Sequence, residues 1–103
     1  MFETMQAMAE PTRLAILQMV RRREMPAGAI AGKFKGITRP AVSQHLRVLK
    51  NAGLVTERRD GTRRLYSLRP EGFAPLKALL EDFWDSKLER LKAAAENKEK
   101  RKP

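Results

Sequence analysis

The segment of residues 27–53 constrains the fold of this chain more than any other part of the sequence. It contains two helical patterns, 27–35 and 39–52, with the turn-forming Gly36 between them and Gly53 as a stop signal after the second. Two short helices joined by a tight turn that contains glycine are typical of a helix-turn-helix. The sequence therefore predicts this motif near the middle of the chain.

A predicted β-hairpin follows directly. The runs 54–56 and 65–68 are rich in residues that favour strands, and Asp60-Gly61 between them is a strong hairpin signal. The intervening residues 58–64 are mostly basic. A basic hairpin placed after a helix-turn-helix predicts a winged form of the motif.

Positive charge is concentrated on the same part of the chain. The whole sequence has a net charge of +10, and residues 33–69 carry +8 of it, from ten basic and two acidic residues. A positive field confined to one part of a small domain favours a polyanionic partner. The major groove of DNA admits one α-helix and presents a distinct hydrogen-bonding pattern for each base pair. Together these features predict a sequence-specific DNA-binding protein.

The predicted second helix of the motif has two different faces. At about 100° per residue, Val42, Leu46 and Leu49 form one buried stripe, and the opposite arc is polar. On that arc, glutamine suits adenine and arginine suits guanine, while the helix start and the wing suit phosphates. The candidate DNA contacts are Thr38 as N-cap, Arg39, Pro40, Ser43, Gln44, Arg47, Lys50, Arg58, Arg59, Arg63 and Arg64.

The flanking segments are predicted to be helical. Before the motif, residues 2–9 and 11–23 form two helices, the second with Leu14, Leu17 and Val20 pointing inward. The fold class is mainly α with a small β-hairpin, a winged helix-turn-helix in the order α-α-α-α-β-β-α.

A long helix is predicted over 73–96, and the charged residues 97–103 are predicted to be a disordered tail. Residues 1–96 are then a single DNA-binding and dimerisation domain. The first and last helices carry more apolar surface than one small core needs. We expect them to form a homodimer interface from Phe2, Met5, Leu76, Leu80, Phe83, Trp84, Leu88 and Leu91.

Composition excludes several classes of function. Without cysteine the chain has no disulfide, thiolate metal site or cysteine nucleophile, and a single histidine, His45, leaves little for a catalytic triad. His45 lies near the apolar stripe and is expected to pack, with base contact as the alternative. Apolar runs of four or five residues are far shorter than the roughly 20 that span a membrane, and no secretion signal is apparent. We expect a cytoplasmic protein that is not an enzyme and holds no cofactor.

Two other functions stay open at this point. A non-specific architectural or RNA-binding protein would interleave aromatic and basic side chains, but residues 33–69 offer only Phe34 and Tyr66, which both fit packing positions. Alternatively, the helix over 73–96 is a protein-interaction surface, as in an antitoxin. The exposure of Trp84 in solution distinguishes these possibilities, because a dimer interface would bury it.

Three stretches of sequence form a recognisable set. They are AEPTRLAIL at residues 9–17, RPAVSQHLRVLKNAGLV at 39–55 and DGTRRLYSL at 60–68. Together they resemble the opening motif, recognition helix and wing of the ArsR/SmtB family of bacterial winged helix-turn-helix repressors. The resemblance covers about residues 5–72. It implies a homodimer, joined through its first and last helices, that binds an inverted-repeat operator, blocks transcription and is released by a small-molecule or protein effector.

The chain departs from the family in its metal ligands. Many members bind metal through cysteines in the helix before the turn, and residues 27–33 hold no such ligand. Others use histidine and carboxylates on the last helix, where this chain has carboxylates but no histidine. The sequence resembles a branch without metal ligands, so no metal site is expected at the acidic residues Glu81, Asp82, Asp85 and Glu89.

Overall fold

The computed structural model describes the backbone of residues 1–100 and all their side chains except those of Ser86 and residues 97–100. This part of the chain is mainly helical with a small antiparallel sheet, which confirms the predicted winged helix-turn-helix. The elements are α1 (Phe2–Met8), α2 (Pro11–Arg22), β1 (Met25–Pro26), α3 (Ala27–Gly32), α4 (Arg39–Asn51), β2 (Val55–Asp60), β3 (Arg63–Leu68), a 3₁₀ turn (Pro70–Phe73) and α5 (Ala74–Lys100).

The helix-turn-helix consists of α3 and α4. The predicted N-cap is present, since the hydroxyl of Thr38 accepts a hydrogen bond of 3.3 Å from the N–H of Ala41. Helix α3 ends at Gly32 rather than at the predicted Lys35. Bonds of the i→i−3 type from Lys33 and Phe34 close its last turn, because glycine is a poor residue for continuing a helix.

The wing is longer than predicted, and the sheet has one more strand. β2 and β3 pair from Val55 opposite Leu68 to Asp60 opposite Arg63, so the basic residues lie within the strands rather than in a loop. The turn is only two residues long, and its first residue, Gly61, has φ +63°. A positive φ at this position matches the right-handed twist of the hairpin and favours glycine.

The additional strand is β1, whose Met25 and Pro26 pair with β3, giving the strand order β1-β3-β2. A strand of two residues that contains proline gives no alternating pattern, so the sequence did not predict it.

The core lies between the helices and one face of the sheet. The predicted stripe of α4 is fully buried, and α2 contributes Ile16, Leu17 and Val20. Leu14, which was predicted to point inward, is 43% exposed instead, because α2 turns its Ile16–Leu17–Val20 face to the core. The buried apolar residues are Ala7, Ile16, Leu17, Val20, Met25, Ile30, Val42, Leu46, Leu49, Leu54, Val55, Leu65 and Tyr66.

Helix α5 is connected to the end of α4 by a close backbone contact. The 3₁₀ turn places Gly72 against the carbonyl group of Gly53, where a Cβ atom on Gly72 would overlap the carbonyl oxygen. The N–H of Arg69 donates to the carbonyl of Leu54 at 2.9 Å, and its guanidinium donates to the carbonyl of Gly53 at 3.2 Å. These contacts fix the direction in which α5 leaves the body.

Helix α5 extends away from the rest of the protein. It runs to Lys100, four residues past the predicted end, because Ala, Glu and Lys are good helix formers and no Gly or Pro interrupts them. The disorder expected for residues 97–103 stays a prediction, and residues 101–103 lie outside the described residues. The long dimension is 66 Å and the radius of gyration 18.9 Å, against about 13 Å for a compact domain of this length. None of the described helices is long and apolar enough to cross a membrane.

Candidate DNA interface

Helix α4 presents a continuous polar face to solvent. Ser43, Gln44 and Arg47 are all exposed, as the helical pattern predicts. The guanidinium of Arg47 donates a hydrogen bond of 3.2 Å to the side-chain oxygen of Gln44, one helical turn away. The two candidate base-contacting side chains are therefore held side by side on one face.

Arg39 takes a different direction from the other candidates on α4. Its guanidinium lies over the first turn of α3, so that a methyl group on Gly28 would come within 3.2 Å of Nη2. Arg39 lines a cleft of about 410 Å³ together with Arg63 and Arg64 of the wing. The structure thus groups Arg39 with the wing, in a position suited to a phosphate more than to a base.

The four wing arginines divide between the two faces of the hairpin. Arg59 and Arg64 are directly opposite each other and share the face of buried Tyr66, which is turned toward α4. Arg58 and Arg63 are on the other face. Like charges directly opposite each other destabilise a hairpin, so the Arg59–Arg64 pair favours a polyanion at this position.

The arginines on the far face are already paired with carboxylates. Arg58 donates from Nε and Nη2 to Glu24 over 2.7–3.0 Å, and Arg63 donates to Asp60 at 3.2 Å. The hydrogen bonds to Glu24 raise the pKa of Arg58 above its usual value. Arg58 therefore attaches the wing to the α2–β1 connection, and of the four arginines it is the least available to DNA.

One carboxylate lies between α4 and the wing. Glu57 accepts from Tyr66 at 3.0 Å and from Lys50 at 3.4 Å, and Nε of Arg64 is 3.9 Å from its other oxygen. Burial raises the pKa of Glu57, but the Tyr66 hydrogen bond and the Lys50 and Arg64 charges outweigh burial, so the pKa lies below its usual value. The contacts of Glu57 with Lys50 and Tyr66 join separate elements, so no local sequence pattern predicts them.

The E-P-T-R motif holds α1, α2 and α4 together. The side chain of Glu10 caps α2 by accepting a hydrogen bond of 2.8 Å from the N–H of Arg13, and this bond lowers the pKa of Glu10. The Arg13 guanidinium donates to the carbonyls of Ala7 and Gln6 at the end of α1 and lies 3.2 Å from Nδ1 of His45. His45 thus packs on the inner side of α4, as expected, away from the polar face formed by Ser43, Gln44 and Arg47.

We predict that Arg13→Met destabilises the fold by roughly 1–3 kcal/mol, because it removes donors that satisfy partly buried carbonyls. Urea denaturation followed by circular dichroism measures the loss. Arg21→Met in the exposed last turn of α2 is the matched control, with an expected change within about 0.5 kcal/mol. Equal effects of the two substitutions would contradict the role assigned to Arg13.

The predicted interface residues form an exposed apolar surface. Leu80, Phe83, Trp84, Leu88 and Leu91 are between 46% and 65% exposed, and none of the described side chains of α5 is buried. On α1, Phe2 and Met5 are also exposed, while Leu76 is half-buried.

An apolar groove of about 500 Å³ runs along the start of α5. It is lined by Leu76, Leu80 and Trp84, with Phe73 of the 3₁₀ turn and Met8 of α1. Met8 and Phe73 were not among the predicted interface residues, and both lie at the ends of their elements. Within the described residues, no three histidine or acidic side chains come together as a metal site, including those on α5.

Comparison with known proteins agrees with this architecture. Residues 8–58 match a family model described as a helix-turn-helix domain. The chain is 47% identical over 79 residues to the HTH-type transcriptional regulator Rv2034 of Mycobacterium tuberculosis, covering 77% of this chain and 73% of that protein. It is 40% identical over 62 residues to the transcriptional repressor SdpR of Bacillus subtilis, covering 60% and 68% of the two chains.

Solved structures show the same fold. A possible transcriptional regulator for arsenical resistance superposes with a TM-score of 0.73 at 44% identity, over 89% of this chain and 95% of that one. An ArsR-like transcriptional regulator from Rhodococcus sp. RHA1 superposes with a TM-score of 0.69 at 26% identity, over 90% of both chains. The fold and its polar helix define a sequence-specific DNA-binding transcriptional regulator. The chain belongs to the ArsR/SmtB family of helix-turn-helix regulators.

Proposed function

We propose that this protein is a homodimeric repressor whose operator is an inverted repeat. The exposed apolar face of α5 carries this proposal, because a surface of five large apolar side chains beside a complete core is typical of a protein interface. A second copy of the same face is the simplest partner, since two-fold interfaces use one patch twice. The same two-fold symmetry relates the two α4 helices of the dimer, so each helix can bind one half-site of an inverted repeat.

Repression follows from occupation of the DNA. A dimer bound at an operator that overlaps a promoter blocks access of the polymerase, and the relative SdpR bears the name of a repressor. An effector that binds better to the free form than to the DNA-bound form would relieve this block. The protein acts by binding, without a catalytic step, and does so in the cytoplasm, where the DNA of a bacterial cell lies.

The proposal is tested by binding to the DNA upstream of the protein's own coding region, against a scrambled duplex of equal length, at two salt concentrations. A preference of about a thousandfold or more near physiological salt is expected for a specific operator. Half-site centres are expected to lie about 34–36 Å apart, and insertion of half a helical turn between them should abolish the preference. Equal, salt-sensitive binding of both duplexes would instead support a non-specific architectural protein.

Two substitutions distinguish base contact from phosphate contact. Gln44→Ala is expected to cost about 1–3 kcal/mol on the operator and to relax specificity at one position, because its side chain lies on the exposed polar face of α4. Arg59→Ala is expected to weaken binding of all duplexes similarly and to lower the salt dependence of binding by about one phosphate contact. Titration of operator and scrambled duplexes with both variants provides the measurement. If both variants weakened all sequences equally, base contact by α4 would be wrong.

A further inference from the structure

Glu57 is an acidic residue placed where the surface otherwise collects positive charge. It lines the groove of about 490 Å³ between α4 and the wing, together with Arg47, Lys50 and Arg64. Its side chain is 20% exposed, against 51% for Lys50 and 58% for Arg64. A fixed negative charge here opposes the approach of phosphates, so it needs a reason other than affinity for DNA.

The ion pairs of Glu57 do not supply that reason through stability. Ion pairs with half-exposed partners contribute about 0–1 kcal/mol, and the Lys50 and Arg64 side chains must be ordered to make them. The hydrogen bond from Tyr66 fixes the carboxylate from the buried side of the sheet, independently of either cation. Glu57 therefore keeps its position if Lys50 or Arg64 turns toward another anion.

The geometry gives Glu57 two effects on its cationic neighbours. It offsets their charge at long range, and it restricts their side chains, both of which have high rotamer freedom, to the groove between α4 and the wing. A loosely bound, non-specific complex depends almost wholly on the summed charge. A closely fitted complex also depends on where each cation is held.

We propose that Glu57 is a specificity-determining residue, which disfavours non-specific DNA more than the operator by holding Lys50 and Arg64 in place and offsetting their charge. This inference rests on the proposed function, since it needs an operator that the protein prefers. Part of the discrimination between operator and non-specific DNA then comes from an acidic residue of the wing, and not from α4 alone.

The main experiment uses Glu57→Gln in the full-length protein. The duplexes are an operator-like sequence selected from a randomised pool and a shuffled duplex of the same composition. Each additional phosphate neutralised at 0.1 M salt strengthens binding up to about tenfold. We therefore expect this variant to bind the shuffled duplex about three- to tenfold more tightly than the wild type does. The slope of log K against log salt concentration should become steeper by about one. The selected duplex should change less than about twofold, since a gain in charge is offset by lost positioning.

Two control variants separate this effect from simpler ones. Glu24→Gln changes the net charge equally, but its carboxylate pairs with Arg58 on the opposite face of the wing, so it should leave the ratio between duplexes unchanged. Tyr66→Phe keeps the charge of Glu57 and removes the hydrogen bond that fixes it. It should leave binding of the shuffled duplex unchanged and weaken binding of the selected one.

A third comparison does not depend on the folding of the Glu57 variant. If Glu57 offsets Lys50, then Lys50→Gln should weaken binding of the shuffled duplex less than Arg59→Gln does. The proposal is overturned if Glu57→Gln strengthens both duplexes equally, if Glu24→Gln has the same effect, or if Lys50→Gln and Arg59→Gln are equivalent. Failure of the proposed function has a separate signature, because the wild-type protein would then enrich no sequence from the pool.

Discussion

Replacement of Gly72 by alanine is expected to destabilise the fold by about 3 kcal/mol, at the upper end of typical overpacking costs. A Cβ atom at this position would overlap the carbonyl oxygen of Gly53 and lie 2.8 Å from the carbonyl carbon. Both partners are backbone groups, so no side-chain rotation relieves the overlap. For a chain of this size the melting temperature should fall by roughly 15 °C, as measured by circular dichroism.

Gly32 provides the matched control. It ends α3, and an added Cβ there meets nothing within 4 Å. Gly32→Ala should therefore be neutral or stabilising by about 0.5–1 kcal/mol. If Gly72→Ala melted at the wild-type temperature, the close approach of the 3₁₀ turn to the end of α4 would be incorrect.

Trp84→Ala is expected to convert the proposed homodimer into a monomer at micromolar concentration. Trp84 is 64% exposed in the single chain, and complete burial of a large apolar side chain is worth about 2–3 kcal/mol. In a two-fold dimer the loss occurs twice, so the dissociation constant should rise by about a thousandfold or more. Sedimentation equilibrium measures the change, and binding to the complete operator should weaken with it.

The control for this substitution is Glu89→Ala, because Glu89 is exposed on the side of α5 opposite the apolar face. It should leave the dissociation constant within about twofold, since single surface changes are usually small. The Trp84 variant should keep its helical circular dichroism signal, because the core is complete without α5. A Trp84→Ala protein that remained a dimer of unchanged affinity would exclude this face as the interface.

The predictable parts of this structure are those set by local rules. Helix α4 was bounded by a cap, a proline and a glycine, and its stripe of Val42, Leu46 and Leu49 is fully buried as predicted. These features depend on the 3.6-residue period and on the chemistry of helix ends, both visible in one short segment.

The parts that were missed depend on pairing between distant residues. The short strand β1 exists only because Met25 and Pro26 meet β3, some 40 residues later in the chain. The division of the wing arginines between two faces follows from the pairing register of the two strands. The predicted strands, 54–56 and 65–68, are too short to include the arginines at 58, 59, 63 and 64, so they do not assign these residues to a face. The contacts of Arg13 with α1 and His45 likewise join elements whose relative position no local pattern specifies.

The location of the core has a consequence for how such regulators diverge. All buried apolar side chains in the described structure lie between Ala7 and Tyr66, and α5 contributes none. If copies of the chain pair through the exposed face of α5, as proposed, substitutions there change which copies pair and leave the DNA-binding body intact. Two copies of such a gene in one cell could in this way encode proteins that each pair only with themselves. Both proteins would still bind the DNA sequence that their common ancestor bound.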